Sequence, residues 1–181
     1  MHTHRNHELG KSDMVFSHSP DPAYMAVLDI PTYDAFLPDW DWHSLTARVA
    51  RQMSQERIFA WGCPEYDLQV RITATAPSGD FRPVESISGF LTTSGRLCFA
   101  SYDNLTMCAQ FDDRRFPDHE DQPFTVDAGR HQIVVHCMFY WRHGQQFPDR
   151  IAEGDHYIIV ISPADRSLSP KYFGTVPWVV L

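Results

Sequence analysis

The run HQIVVHCMFYW at positions 131–141 narrows more than any other what this chain can become. Its apolar residues fall on both alternate sets: Ile133, Val135, Cys137, Phe139 and Trp141 on one, Val134, Met138 and Tyr140 on the other. Extended backbone sends successive side chains to opposite faces, so this run needs cover on both sides. It is expected as a central strand. HYIIVIS at 156–162 is two-sided in the same way. LQVRITATA differs, because Leu68, Val70, Ile72, Ala74 and Ala76 alternate with Gln69, Arg71, Thr73 and Thr75, which predicts a strand with one wet face. MVFSHS and YMAVLDI read as short strands on either side of the turn-forming PDPA. YFGTVPWVVL reads as a last strand, which Pro177 confines to an edge or a bulge.

One segment follows a helical period instead. In DWDWHSLTARVARQMS the side chains of Trp42, Leu45, Val49 and Met53 form a stripe, Arg48 and Arg51 fall opposite, and Asp41 is placed to cap the first turn. GRLCFASYDNLTMCAQF (95–111) reads as a hairpin, with Asp103-Asn104 as turn chemistry between two strand-like runs. A two-residue loop sends Cys98 and Cys108 to opposite faces, and a three-residue loop places them diagonally on one face. In both registers cysteine acts as a small core hydrophobe. Many short strands with one α-helix predict a mainly β fold, an antiparallel β-sandwich or flattened barrel.

The 181 residues suit a single domain that buries roughly 70% of its unfolded surface. Hydrophobic residues make up 43% of them, and no Gly/Ser-rich stretch or charge run divides the chain. Residues 1–12 are polar and His-rich and are expected as a mobile tail, with 13–181 as one sandwich-like domain. The net charge of −8 argues against nucleic-acid phosphates and anionic membranes as partners, and no basic stripe offsets it. No run of eighteen apolar residues offers a membrane span, and MHTHRNHELGKSD lacks the apolar stretch of a signal peptide. Cys63, Cys98, Cys108 and Cys137 show no CxxC and no dense spacing. Reduced thiols in a cytoplasm fit this best, while the even count leaves one or two disulfides open.

Catalytic signatures are wanting: there is no GxSxG, no HExxH and no P-loop. His2, His4 and His7 could chelate a metal, but an unanchored tail holds no catalytic geometry. His131 and His136, five apart on one strand, face opposite sides. His136 and His156 could approach if their strands pair, and with His119, Cys137 and Asp155 they make a conceivable zinc set, although no pair has the short spacing of a zinc motif. Asp118, His119, Glu120 and Asp121 cluster in PDHEDQP, where a solvated loop is the simpler reading. Two segments are better suited to binding. RHGQQFPDRIAEGD, with Asp149 and Glu153, is longer than a hairpin needs. In PDWDWHS, Trp40 lies outside the helix stripe between Asp39 and Asp41, like an interface anchor ringed by charge.

DWDWHSLTARVARQ followed by a strand, FTVDAGRHQIVVHCMFYW and the closing GDHYIIVISP together resemble the competence protein J family, inhibitors of a DNA-entry nuclease. The likeness covers about half of this chain, which is the longer of the two, chiefly at its start. It implies a small acidic protein without enzymatic activity that caps a basic partner such as a nuclease. The expected function is therefore a cytoplasmic binding protein that needs no cofactor, an inhibitor or immunity protein for a basic enzyme. A metal-dependent enzyme with a histidine/carboxylate site is the alternative.

Overall fold

In the computed structural model, residues 7–9, 13–18, 24–110, 122–140, 154–165, 167–169 and 173–179 are described. The elements in chain order are β1 (His7–Glu8), β2 (Met14–His18), β3 (Tyr24–Asp29), α1 (Trp42–Ser54), β4 (Ile58–Gly62), β5 (Leu68–Thr73), β6 (Glu85–Thr93), β7 (Arg96–Ser101), α2 (Tyr102–Gln110), β8 (Gln122–Thr125), β9 (Gly129–Cys137) and β10 (Tyr157–Pro163). Among the described residues they form two five-stranded sheets, β1-β8-β7-β3-β4 and β2-β5-β10-β9-β6. The fold is mainly β and sandwich-like, and neither sheet closes into a barrel.

The alternation read from the sequence is realised as far as Ile72; the strand then ends at Thr73, which is buried where a wet face was expected, and Ala76 is exposed. Leu68, Val70 and Ile72 of β5 are buried while Gln69 and Arg71 are half-buried. Tyr157, Ile158, Ile159, Val160 and Ile161 of β10 are buried on both faces. Strand β9 is interior, between β10 and β6. It ends at Cys137, however, and beyond it Tyr140 is 72% exposed. Two pairings are parallel, β1 with β8 and β10 with β5, so the sandwich is not wholly antiparallel. The long chain between β5 and β10 gives room for the crossover that a parallel pairing requires. Residues 7–9 of the expected tail lie along β8.

The inner face of the first sheet carries large side chains: Phe59, Val27 and Phe99 sit in cross-strand register, as do Trp61 and Met25. They meet the second sheet through Trp61 against Tyr157 (6.2 Å) and Phe99 stacked on Phe16 (5.4 Å). Phe59 occupies space that only a glycine leaves, since a Cβ on Gly89 would stand 2.5 Å from its ring. The opposite face carries Tyr24 and the cross-strand row Ala60, Ala26 and Ala100. Tyr24 meets Trp42 of α1 at 5.9 Å and Tyr102 of α2 at 5.1 Å, so this is the helix-covered face. Its alanines let helix backbones approach closely, and burial on both faces follows.

Helix α1 begins where the sequence predicts, with Asp41 and Ser44 forming a reciprocal capping box. Its buried stripe holds Leu45, Val49 and Met53. At its end, the Glu56 N–H donates to Met53 O and the Arg57 N–H to Gln52 O, with Glu56 at φ 59°. This is a Schellman motif with glutamate where glycine is usual. The Glu56 carboxylate explains the exception, because it takes bonds from Arg130 Nε (2.9 Å), Arg130 Nη2 (2.7 Å) and Thr92 Oγ1 (2.9 Å). Arg130 also donates from Nη1 to the carbonyls of Asp165 and Leu168 and lies 4.0 Å over the Phe90 ring. One ion pair thus ties the end of α1 to the second sheet.

Two expected strands are absent. TMCAQ is part of α2, not the second arm of a hairpin, so the fold has a second helix and residues 96–110 are strand then helix. Asn104 is the cause: its Oδ1 accepts from the Ser101 N–H (2.8 Å) and hydroxyl (2.7 Å), which starts a helix where a turn was read. Leu105, Cys108 and Ala109 then bury one face at helical spacing. At the C-terminal side, residues 173–179 form no strand. Trp178 has φ 63°, which breaks extension, and the segment instead packs by side chains, Phe173 against Phe59 (5.8 Å) and Trp178 against Tyr157 (6.4 Å). The four cysteines are buried and no disulfide joins them.

Candidate functional site

The connection from β3 to α1, residues 30–41, has no regular secondary structure and yet is closely held. The Asp34 N–H donates to Gln52 Oε1 (3.0 Å), and its carbonyl accepts from Gln52 Nε2 (2.8 Å) and Arg48 Nε (3.1 Å). Arg48 Nη2 also meets the Asp34 carboxylate at 2.6 Å. The Leu37 N–H reaches the carbonyl of Ala109 at the end of α2 (3.0 Å). The loop is thus pinned to both helices before it enters α1.

Three sequence-predicted residues come together on this loop. Asp39 and Asp41 are exposed, and Trp40 between them is half-buried against the core. Asp39 has φ 54°, a left-handed conformation that aspartate tolerates better than most residues. The Asp41 carboxylate accepts from the Ser44 N–H at 2.7 Å. That bond, helped by the Ser44 side chain, lowers its pKa and keeps it charged. Phe36, 38% exposed, adds an aromatic ring that sequence reasoning missed. Two exposed carboxylates flanking an indole can take a cationic, partly apolar surface, including an arginine stacked on the ring. Asp149 and Glu153, the other predicted binding residues, lie outside the described residues.

The weak metal candidates part company. Strands β9 and β10 pair, with His136 opposite Ile158, so His136 and His156 sit diagonally on the outward face of the second sheet. Each imidazole is already engaged. His136 Nδ1 shares a hydrogen bond with Ser86 Oγ (2.7 Å), and Phe81 stands edge-on to its ring. His156 Nδ1 accepts from the Gln69 N–H at 2.8 Å. Burial lowers both pKa values, which favours neutral rings. Asp155 is bound by Arg71 Nε (2.7 Å), and Cys137 faces the core, its thiol pKa raised by burial. His119 lies outside the described residues. Among those described, no three His, Cys, Asp or Glu side chains are grouped to hold a metal, and no helix is long and apolar enough to cross a membrane.

No protein-family model matches this chain, and no curated protein matches it. A solved structure titled "Crocagin biosynthetic gene J" superposes on 85% of this chain and 99% of its own, with a TM-score of 0.55 and 17% identity. The likeness is one of fold. It covers most of the sandwich and transfers no residue role.

Proposed function

We propose that this chain is a non-enzymatic binding protein that docks a basic partner on residues 34–43, in the manner of an inhibitor or immunity protein for a basic enzyme such as a nuclease. The observation that carries this reading is the pinned loop, which holds Asp39, Trp40 and Asp41 together before any partner arrives. A pre-organised loop loses little conformational entropy on docking, so more of the contact energy appears as affinity. The net charge of −8 would steer a basic protein toward it. The competence protein J resemblance implies the same class of partner. Four buried cysteines without a disulfide support a cytoplasmic setting.

Site-specific photo-cross-linking in the cells of origin tests the reading. A cross-linker at position 36 should give one dominant product with a basic protein, and one at exposed Ser78 should not. Asp39→Asn combined with Asp41→Asn should cut the yield severalfold without uncapping α1, because asparagine caps about as well as aspartate. Equal products from both positions, or a yield unmoved by charge removal or by salt, would remove the proposal.

A further inference from the structure

A second feature, independent of that loop, lies on the outward face of the second sheet. Strand β6 pairs with β9 so that Ser86 stands directly opposite His136, and Ile158 of β10 flanks His136 on its other side. Ser86 is exposed and His136 is half-buried. Ser86 Oγ lies 2.7 Å from His136 Nδ1, at the short end of the range for such a bond. Two constraints hold the imidazole in place. The register fixes it against Ser86, and the Phe81 ring stands edge-on to it with 5.0 Å between centroids.

A serine hydroxyl is a weak nucleophile until a base takes its proton, and that base must be within hydrogen-bond reach and held in position. Burial lowers the His136 pKa, so at neutral pH the ring is uncharged and one of its nitrogens accepts. In the tautomer protonated at Nε2, the accepting nitrogen is Nδ1, the one that meets Ser86. The surroundings select the electrophile. Glu85 beside Ser86 is exposed and the chain carries a net charge of −8, so anionic donors such as acyl phosphates are repelled. Val84, 47% exposed and bonded to the same strand β9, stands on the same face as Ser86 by alternation. Together with Phe81 it offers apolar surface to an uncharged acyl or aryl group.

We propose that Ser86 is a covalent acceptor for short acyl groups from uncharged, activated esters, with His136 as its base. Ser86 Oγ bonds to the ester carbonyl carbon while its proton passes to His136 Nδ1. The bond from that carbon to the leaving oxygen then breaks, and the proton passes from Nδ1 to the departing oxygen. An acyl-serine, a neutral imidazole and a free alcohol or phenol remain. The chain takes up one acyl group and needs no turnover, so this chemistry stands beside the docking function without replacing it.

The probe is p-nitrophenyl acetate, added to the full-length protein, with the acetylated positions read by peptide mass spectrometry over time. Ser86 should be acetylated well ahead of exposed Ser78, which serves as an internal control within the same folded chain. His136→Gln keeps a hydrogen-bond acceptor but no base, and should slow acetylation of Ser86 by about a hundredfold or more. Ser86→Ala should remove the rapid phase of p-nitrophenol release. Acetylation of Ser86 no faster than that of Ser78 in the parent protein, or a Ser86 rate unmoved by His136→Gln, would overturn the proposal.

Discussion

Replacing Glu56 puts the stability of the sandwich to a direct test. Its carboxylate holds Arg130 and Thr92, and its backbone sits at φ 59°, so side chain and main chain pull in opposite directions. Removing one partner of a fully buried ion pair costs about 3–5 kcal/mol. Here the Arg130 and Glu56 side chains keep 12% and 13% of their exposure, so water can partly replace the lost partner. Glu56→Ala should therefore cost about 2–4 kcal/mol. Glu56→Gly loses the same bonds but relieves the left-handed strain, and should be less damaging by about 1 kcal/mol. The pH dependence has a definite sign. Burial raises the Glu56 pKa, but the hydrogen bonds from Arg130 and Thr92 outweigh it and hold the value below that of an ordinary glutamate. A depressed carboxylate stabilises fully above its unfolded pKa of about 4.3, and that contribution fades as pH falls through the lower folded value. Urea midpoints of the parent and Glu56→Gln should differ constantly at neutral pH and converge in acid. A loss under about 0.5 kcal/mol for Glu56→Ala, the level of an ordinary surface change, would refute the clip. So would a glycine variant less stable than the alanine one.

Asn104→Ala should cost about 1–3 kcal/mol by leaving the buried Ser101 N–H and hydroxyl without their acceptor at the start of α2, seen as a lower urea midpoint with reduced helical circular dichroism. Gly62→Ala would drive a Cβ into the Trp178 carbonyl. It should cost about 1–3 kcal/mol by pushing residues 173–179 away, and the Gly62 amide, now bonded to Pro177 O at 2.8 Å, should exchange faster. Unchanged exchange would contradict that docking. All four cysteines should react slowly with a thiol reagent in the native protein and completely once it is unfolded without reductant. Fewer than four thiols would count against the cytoplasmic proposal.

The readable elements were those in which one period dominates. Leu68, Val70 and Ile72 announce a strand because nothing competes with alternation, and Asp41 with Leu45, Val49 and Met53 announces α1 because cap and stripe agree. Asn104 misled because asparagine serves turns and caps alike. The choice turned on Ser101 three residues earlier, whose N–H and hydroxyl both reach Asn104. The short runs that became β4 and β6 were not assigned, since Gly89 and the alanines matter only through partners far away in the chain. At the candidate site, Trp40 between two aspartates was visible. Its support was not, because Gln52 holds Asp34 from 18 residues away. His131 appeared only as a histidine facing opposite to His136, and the burial of its ring on the inner face of β9 becomes evident only once the sheets have met.

The position of β10 has a consequence for how the chain is made. It is the middle strand of its sheet, between β5 and β9, yet it follows both in the sequence. Until residues 157–163 are available, that sheet can pair only as two separate ribbons, β2 with β5 and β6 with β9. Each presents an unpaired edge and an apolar face, Val70 and Ile72 on one, Ile133 and Val135 on the other. Non-local closures of this kind are slow and leave such surfaces open to other chains. The interval before β10 emerges is thus the time when a nascent copy is most exposed to its neighbours on the same polysome.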